Sequence, residues 1–234
     1  MLVDVVVVQP VSVSVGTDSL RKNTSKNSKN INENNRRQEN ELQRIFRLSE
    51  TIPLPFLQSE RKQIMQWVDQ LKEGLPDYAK DTRLNIDAVV KRSTLAAEEA
   101  EAVALAAAFA TGNTRLWTWM QSQITDQKEA EAAITAASLM AMNNVWYPYV
   151  EMADDANLSG LPAQLRMNAI ATHGGTTKAR FEAYSLAASI VGKCHFCVKA
   201  HYETLKKEGY TVEQLRDIGR IAAVMTAVSR VMAG

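Results

Sequence analysis

From residue 59 onward the apolar positions recur at three- and four-residue spacing, the period of helices buried on one side. Residues 60–73 form the first such stretch, with Ser59 placed to cap it and Gly74 and Pro76 to stop it. "LPDYAKDTRLNIDAVVKR" (75–92) follows, with Pro76 near a first turn. "STLAAEEAEAVALAAAFATGN" (93–113) reads as an alanine-rich helix that Gly112 ends. Asn113 can cap "TRLWTWMQSQI" (114–124), and Asp126 with Glu129 fits a capping box for "QKEAEAAITAASLMAMNNVWY" (127–147). Pro162 opens "AQLRMNAIA" (163–171), and Gly174–Gly175 breaks the chain after it. "TTKARFEAYSLAASIV" (176–191) runs up to Gly192, and another helix runs from about Lys193 to Gly209. Thr211 and Gln214 make a second capping box, opening a last helix to about Met232. No strand pair is visible, so residues 59–234 read as one compact all-α domain of many helices.

The first 58 residues follow a different pattern. "VVVVQPVSVSV" alternates in part, but a lone strand has nothing to pair with. Residues 17–40 are polar, Asn-rich and nearly free of core formers, which reads as a disordered N-terminal extension, and "IPLPF" (52–56) reads as a linker. The extension is either an irrelevant appendage, with initiation at Met65 as one version of that reading, or an arm that binds a partner or carries an address. Its apolar run has no basic residue before it, unlike a secretory signal, since Arg21 comes after it.

Hydrophobic residues make up 46% of the chain, enough for a core, and a formal net charge of +1 supplies no strong field toward nucleic acid or membrane. No apolar run reaches the roughly 18 residues of a membrane span. Two cysteines cannot build a secreted disulfide framework, and cycling dithiols belong to reducing compartments, so the expected location is the cytoplasm.

Both cysteines fall in "GKCHFCVKAHYETLKKEG", as Cys194 and Cys197, with His201 four residues further on. With Cys194 in the first turn of a helix at about 100° per residue, Cys197 lies roughly 60° behind it and His201 about 20° behind, so all three share one face. That face suits a reversible disulfide and a thiol–imidazole hydrogen bond together. A helix N-terminus, Lys193 and a CxxC partner all favour thiolate, the nucleophilic form. A histidine that takes the thiol proton needs a third group, a carboxylate from another element, to orient it. Cys194 is nearer the helix N-terminus and Cys197 has the histidine one turn ahead, which gives Cys197 a modest edge as the attacking sulfur.

Three other readings compete. Zinc would need a fourth ligand beyond the cysteines and His201, with His173 recruited from elsewhere and His195 pointing about 100° away. A structural disulfide across two residues restrains little chain. The cysteines could also be plain core. Trp117, Trp119, Trp146 and Tyr147 could wall a pocket but suit the core as well.

"FEAYSLAASIVGKCHFCVKAHYETLKKEG" resembles the alkylhydroperoxidase D family, within the carboxymuconolactone decarboxylase-like group. The family motif has a Glu twelve residues before the CxxC and a His four after it, here Glu182, Cys194, Cys197 and His201. "LPDYAKDTRLNIDAVVKRS", "MAMNNVWY" and "LRMNAIATHGGTTKARFE" extend the resemblance over about residues 66–232. It implies an all-helical fold, a homotrimer, and a lipoyl-dependent peroxidase acting on organic hydroperoxides with no tightly bound cofactor. It implies that Cys197 becomes the sulfenic acid and that Cys194 donates a proton and then resolves the sulfenate. Glu182 and His201 match the proton-relay residues. Electrons would come from dihydrolipoamide on a lipoyl-bearing protein, and a peroxiredoxin is a further partner. One position departs: the family's histidine just before the second cysteine is Phe196 here, with His195 one place earlier. That departure keeps open a disulfide relay with little peroxidase activity of its own. A non-catalytic redox sensor, with the N-terminal arm as its output, is the reading from another class. The decarboxylase relatives do without this CxxC.

Overall fold

A computed structural model describes Arg61, residues 65–172 and residues 175–233. The expected N-terminal extension and the Ser59 cap lie outside the described residues, as does His173.

Helix α1 spans Gln66–Glu73 and buries Trp67, Val68 and Leu71, with Gly74 at its C-cap. The expected helix over 75–92 is three pieces: a 3₁₀ turn at Asp77–Ala79, helix α2 at Lys80–Ile86, and a π turn at Asp87–Lys91. Arg61 reaches across to the carbonyls of Lys91, Ser93 and Leu95 at 2.9, 3.0 and 2.9 Å.

Helix α3, Ala97–Ala110, is the centre. Its stretch from Ala102 to Ala108 is apolar on every side, as a helix surrounded by protein must be, and Ala100 and residues 102–108 are wholly buried. Its alanines let neighbouring backbones come close. Around it pack α5 (Gln127–Ala153), α8 (Lys178–Gly192) and α10 (Val212–Met232), with α4 (Thr114–Gln123) along one end. Short helices α6 (Ala156–Ser159) and α7 (Ala169–Thr172) lie between α5 and α8 in sequence. Helix α9, His195–Lys207, follows α8 directly and packs on α8 and α5. The described residues contain no strand, so the all-α expectation holds. No helix among them is long and apolar enough to cross a membrane.

Local signals fare unevenly. Asn113 caps α4 by accepting the Leu116 N–H at 3.0 Å, and the Thr211–Gln214 capping box is present in both directions. Asp126 caps α5, accepting from the Lys128 and Glu129 N–H groups, but Glu129 does not close a box. Its carboxylate turns inward, where Thr176 Oγ1 donates at 2.6 Å, the Tyr184 hydroxyl donates, and Arg180 lies at 3.3 Å. On α3, Glu99 likewise accepts from the Tyr210 hydroxyl. These carboxylates tie α3, α5 and α8 to the loop before α10, and burial pushes both phenols up.

Two helix expectations are corrected. Helix α5 does not stop before Pro148 but runs through it to Ala153, ending at Asp154 in a left-handed conformation (φ 49°). The helix expected at 163–171 is irregular chain up to residue 167, with Gln164 at φ 52°, a value no right-handed helix accommodates.

Candidate redox site

The site is built at the α8–α9 corner. Helix α8 ends at Gly192, and Lys193 takes a left-handed conformation (φ 56°) that turns the chain. Gly192 is required by close approach: a Cβ there would meet Asn144 Nδ2 at 2.1 Å and Asn144 Cβ at 2.8 Å. Asn144, on α5, donates from Nδ2 to the Ala188 carbonyl at 3.0 Å and so clamps α5 to α8.

Cys194 is not in the first turn of α9, as the spacing suggests, but is its N-cap. Its sulfur accepts the Cys197 N–H at 3.3 Å, taking the place a serine oxygen usually fills. The two sulfurs are bonded to each other, with Cα atoms 5.3 Å apart. Both cysteines are buried, at 0% and 3% exposure, and Asn143 O lies 3.9 Å from Cys194 Sγ.

Glu182 projects from α8 and His201 from α9. Glu182 Oε2 lies 2.7 Å from His201 Nδ1, and each side chain is about one-sixth exposed. The orienting carboxylate from another element is therefore present. The other ring nitrogen, Nε2, meets Met140 Sδ on α5 at 3.1 Å. In this disulfide form His201 forms a hydrogen bond to neither sulfur among the described residues.

His195 and Phe196 point outward. The His195 ring is four-fifths exposed and lies 3.2 Å from Glu151. Phe196 stacks on Tyr147 with ring centroids 4.3 Å apart. Together with Trp146, Leu161 and Pro162 they line a groove of about 700 Å³ between the end of α5 and the start of α9, which neither cysteine lines. Of the four aromatic residues singled out from sequence, Trp146 and Tyr147 wall this groove, while Trp117 and Trp119 pack against the core. No three His, Cys, Asp or Glu side chains among the described residues converge as metal ligands.

Sequence reasoning missed Met140, Asn143 and Asn144, which present one turn of α5 to the site. The available signal was a pair of asparagines interrupting an otherwise apolar helix in "MAMNNVWY".

A helical corner carrying a CxxC with a partly buried Glu–His pair defines a class of dithiol protein, and residues 158–234 match the Carboxymuconolactone decarboxylase family. The chain is 40% identical over 168 residues to an alkyl hydroperoxide reductase AhpD of Rhodospirillum centenum, covering 70% of this chain and 90% of that protein. It is 40% identical over 167 residues to one from Coxiella burnetii (68% and 93%) and 41% identical over 165 residues to one from Frankia alni (69% and 89%). The chain belongs to the AhpD alkyl hydroperoxide reductase family.

Proposed function

We propose that this protein is a thiol peroxidase that reduces organic hydroperoxides through a Cys194/Cys197 dithiol–disulfide cycle. The observation that carries the reading is the Glu182–His201 pair 2.7 Å apart on the two helices that flank the bonded cysteines. Family membership supports the same chemistry. In the reduced protein His201, held by Glu182, takes the Cys197 proton. The thiolate attacks the terminal peroxide oxygen; the O–O bond breaks and the alkoxide takes the Cys194 proton, leaving an alcohol and sulfenic acid at Cys197. The Cys194 thiolate then attacks that sulfur. Hydroxide leaves with the proton held on His201, giving water and the disulfide.

Dihydrolipoamide on a lipoyl-bearing protein returns the two electrons and is itself oxidised to a disulfide. A partner peroxiredoxin is a second electron acceptor. The working unit is a homotrimer in the cytoplasm, without a tightly bound cofactor. These assignments are supported by the resemblance of the motif residues and by the sparing use of cysteine. Phe196, in the place of the family's histidine, favours one other reading, a disulfide relay that reduces a protein and scarcely touches peroxide.

The test is a variant series. Cys197→Ser abolishes turnover, Cys194→Ser leaves a sulfenate that lingers or over-oxidises, and Glu182→Gln or His201→Gln each slow turnover, by about 10²–10⁴-fold if general acid–base help is lost. Full activity in both relay variants, with the fold intact, would remove the relay.

A further inference from the structure

A cavity of about 620 Å³ opens between α1, α3 and the turn that joins α4 to α5, and it shares no lining residue with the redox corner. Trp67, Glu98, Glu101, Ile124, Asp126 and Glu129 line it together with neutral polar side chains, and among the described residues no Lys, Arg or His does. Two of the four carboxylates are engaged elsewhere: Glu129 is matched by Arg180 at 3.3 Å, and Asp126 caps α5. Glu98 lies on the exposed rim, within electrostatic reach of Arg61. Glu101 lies inside, and no cation pairs with it among the described residues.

Two buried polar atoms on this lining have no partner. Glu101 is 4% exposed and its Oε1 makes no hydrogen bond among the described residues; Trp67 is 2% exposed and its indole Nε1–H makes none either. Native proteins pair nearly all such groups. The two are complementary, an acceptor oxygen close to a donor N–H. The lining also selects charge, because an anion is opposed by Glu98 and Glu101 while a cation gains from both. A bare metal ion does not fit: no three carboxylates among the described residues converge as ligands, and the space is that of a small molecule, roughly 300–1,000 Å³. Ile124 and the Trp67 ring supply apolar wall.

We propose that this cavity binds a small amino alcohol, an organic ammonium with a hydroxyl on the neighbouring carbon. The ammonium donates to Glu101 Oε1, and the hydroxyl oxygen accepts from Trp67 Nε1. Binding is linked to a proton. Burial first, and Glu98 second, push the Glu101 carboxyl up to about 8, and the Trp67 indole, which faces it short of hydrogen-bond contact, draws it part of the way back. A cation favours the carboxylate, so the proton leaves as the ligand enters and affinity rises with pH up to about that value.

The experiment titrates the oxidised full chain with 2-aminoethanol and with its larger relative leucinol, following the Trp67 indole N–H signal by NMR, with Trp67→Phe to assign it. Both amines should move that signal saturably, with about fivefold tighter binding at pH 8 than at pH 7. Ethylamine, which lacks the hydroxyl, should bind a few-fold more weakly. Glu101→Gln keeps the shape and removes the charge; it should bind at least tenfold more weakly and lose the pH dependence, with a thermal melt alongside to show that it is folded. An unmoved Trp67 signal with both amines overturns the proposal. So does wild-type affinity in folded Glu101→Gln, or equal affinity for ethylamine and 2-aminoethanol. None of these readouts involves the dithiol, so their failure would leave the proposed function standing.

Discussion

Replacing Gly192 with alanine sets two opposite effects against each other at the corner that presents the dithiol. On helix propensity alone the change should stabilise α8 by about 1 kcal/mol. Against this, the new methyl would lie 2.1 Å from Asn144 Nδ2, 2.3 Å from Cγ and 2.8 Å from Cβ. Swinging the amide aside relieves the first two contacts but not the third, so α5 and α8 must part. Overpacking of this kind costs about 1–3 kcal/mol. The displaced amide also gives up its 3.0 Å bond to the Ala188 carbonyl, about 1–3 kcal/mol more. Its Oδ1 already lacks a partner among the described residues, so no second bond holds it. The clash outweighs the propensity, and Gly192→Ala is predicted to lose about 1–5 kcal/mol net. Guanidinium unfolding of the oxidised protein reads this as a lower midpoint at unchanged slope. Because Lys193 and Cys194 follow at once, the rate of disulfide reduction should change too. A variant as stable as the parent would refute the close approach of α5 and α8.

Three further outcomes follow from the structure. Burial first, and Glu98 second, push Glu101 up to about 8 where it faces a cavity of about 620 Å³. Between its ordinary 4.5 and about 8 the folded chain holds one proton more than the unfolded chain, so stability falls as pH rises through that window. Glu101→Gln removes the slope and should be more stable than the parent by roughly 2–3 kcal/mol at pH 7; parallel pH–stability curves would contradict this. Asp217, buried on α10, accepts the Thr94 N–H and hydroxyl at 2.8 and 3.0 Å; burial pushes its carboxyl up, but these bonds and Arg216 and Arg220 hold it below the ordinary value. Its contribution is present above the unfolded-state value and lost as pH falls through the lower folded one, and Asp217→Ala should cost about 1–3 kcal/mol in thermal or denaturant melts near neutral pH, since the Arg216 and Arg220 side chains it leaves are exposed to water. Phe196→His gives up the stack on Tyr147, worth about 0.5–1.5 kcal/mol, and places an imidazole where the family motif has one. Peroxide turnover should rise in that variant, and an unchanged rate would take Phe196 out of the account.

What the sequence made legible was local. Asn113 and the Thr211–Gln214 box were readable because a cap involves residues three apart in the chain. Asp126–Glu129 has the same spacing, but Tyr184, Thr176 and Arg180 compete for the same carboxylate from another helix, and the tertiary partners win. Pro162 starts no helix because Gln164 sits at φ 52°, a choice that no local residue announces. Pro148 misleads in the other direction, as α5 carries it without ending. For the site, the CxxC and His201 come from one stretch and their spacing nominated them, while Glu182, on the helix before it, was named only by its match to the family motif. Met140 lies 61 residues from His201 in sequence, and its contact exists only once α5 packs against α9.

The central claim is tested most directly by peroxide consumption with dihydrolipoamide as the sole reductant, run beside Cys197→Ser. The account predicts sustained turnover in the wild type that vanishes in the variant. If the Cys194–Cys197 disulfide is reduced by dihydrolipoamide while peroxide is left untouched, the peroxidase reading is wrong and the oxidant that closes this disulfide is another protein.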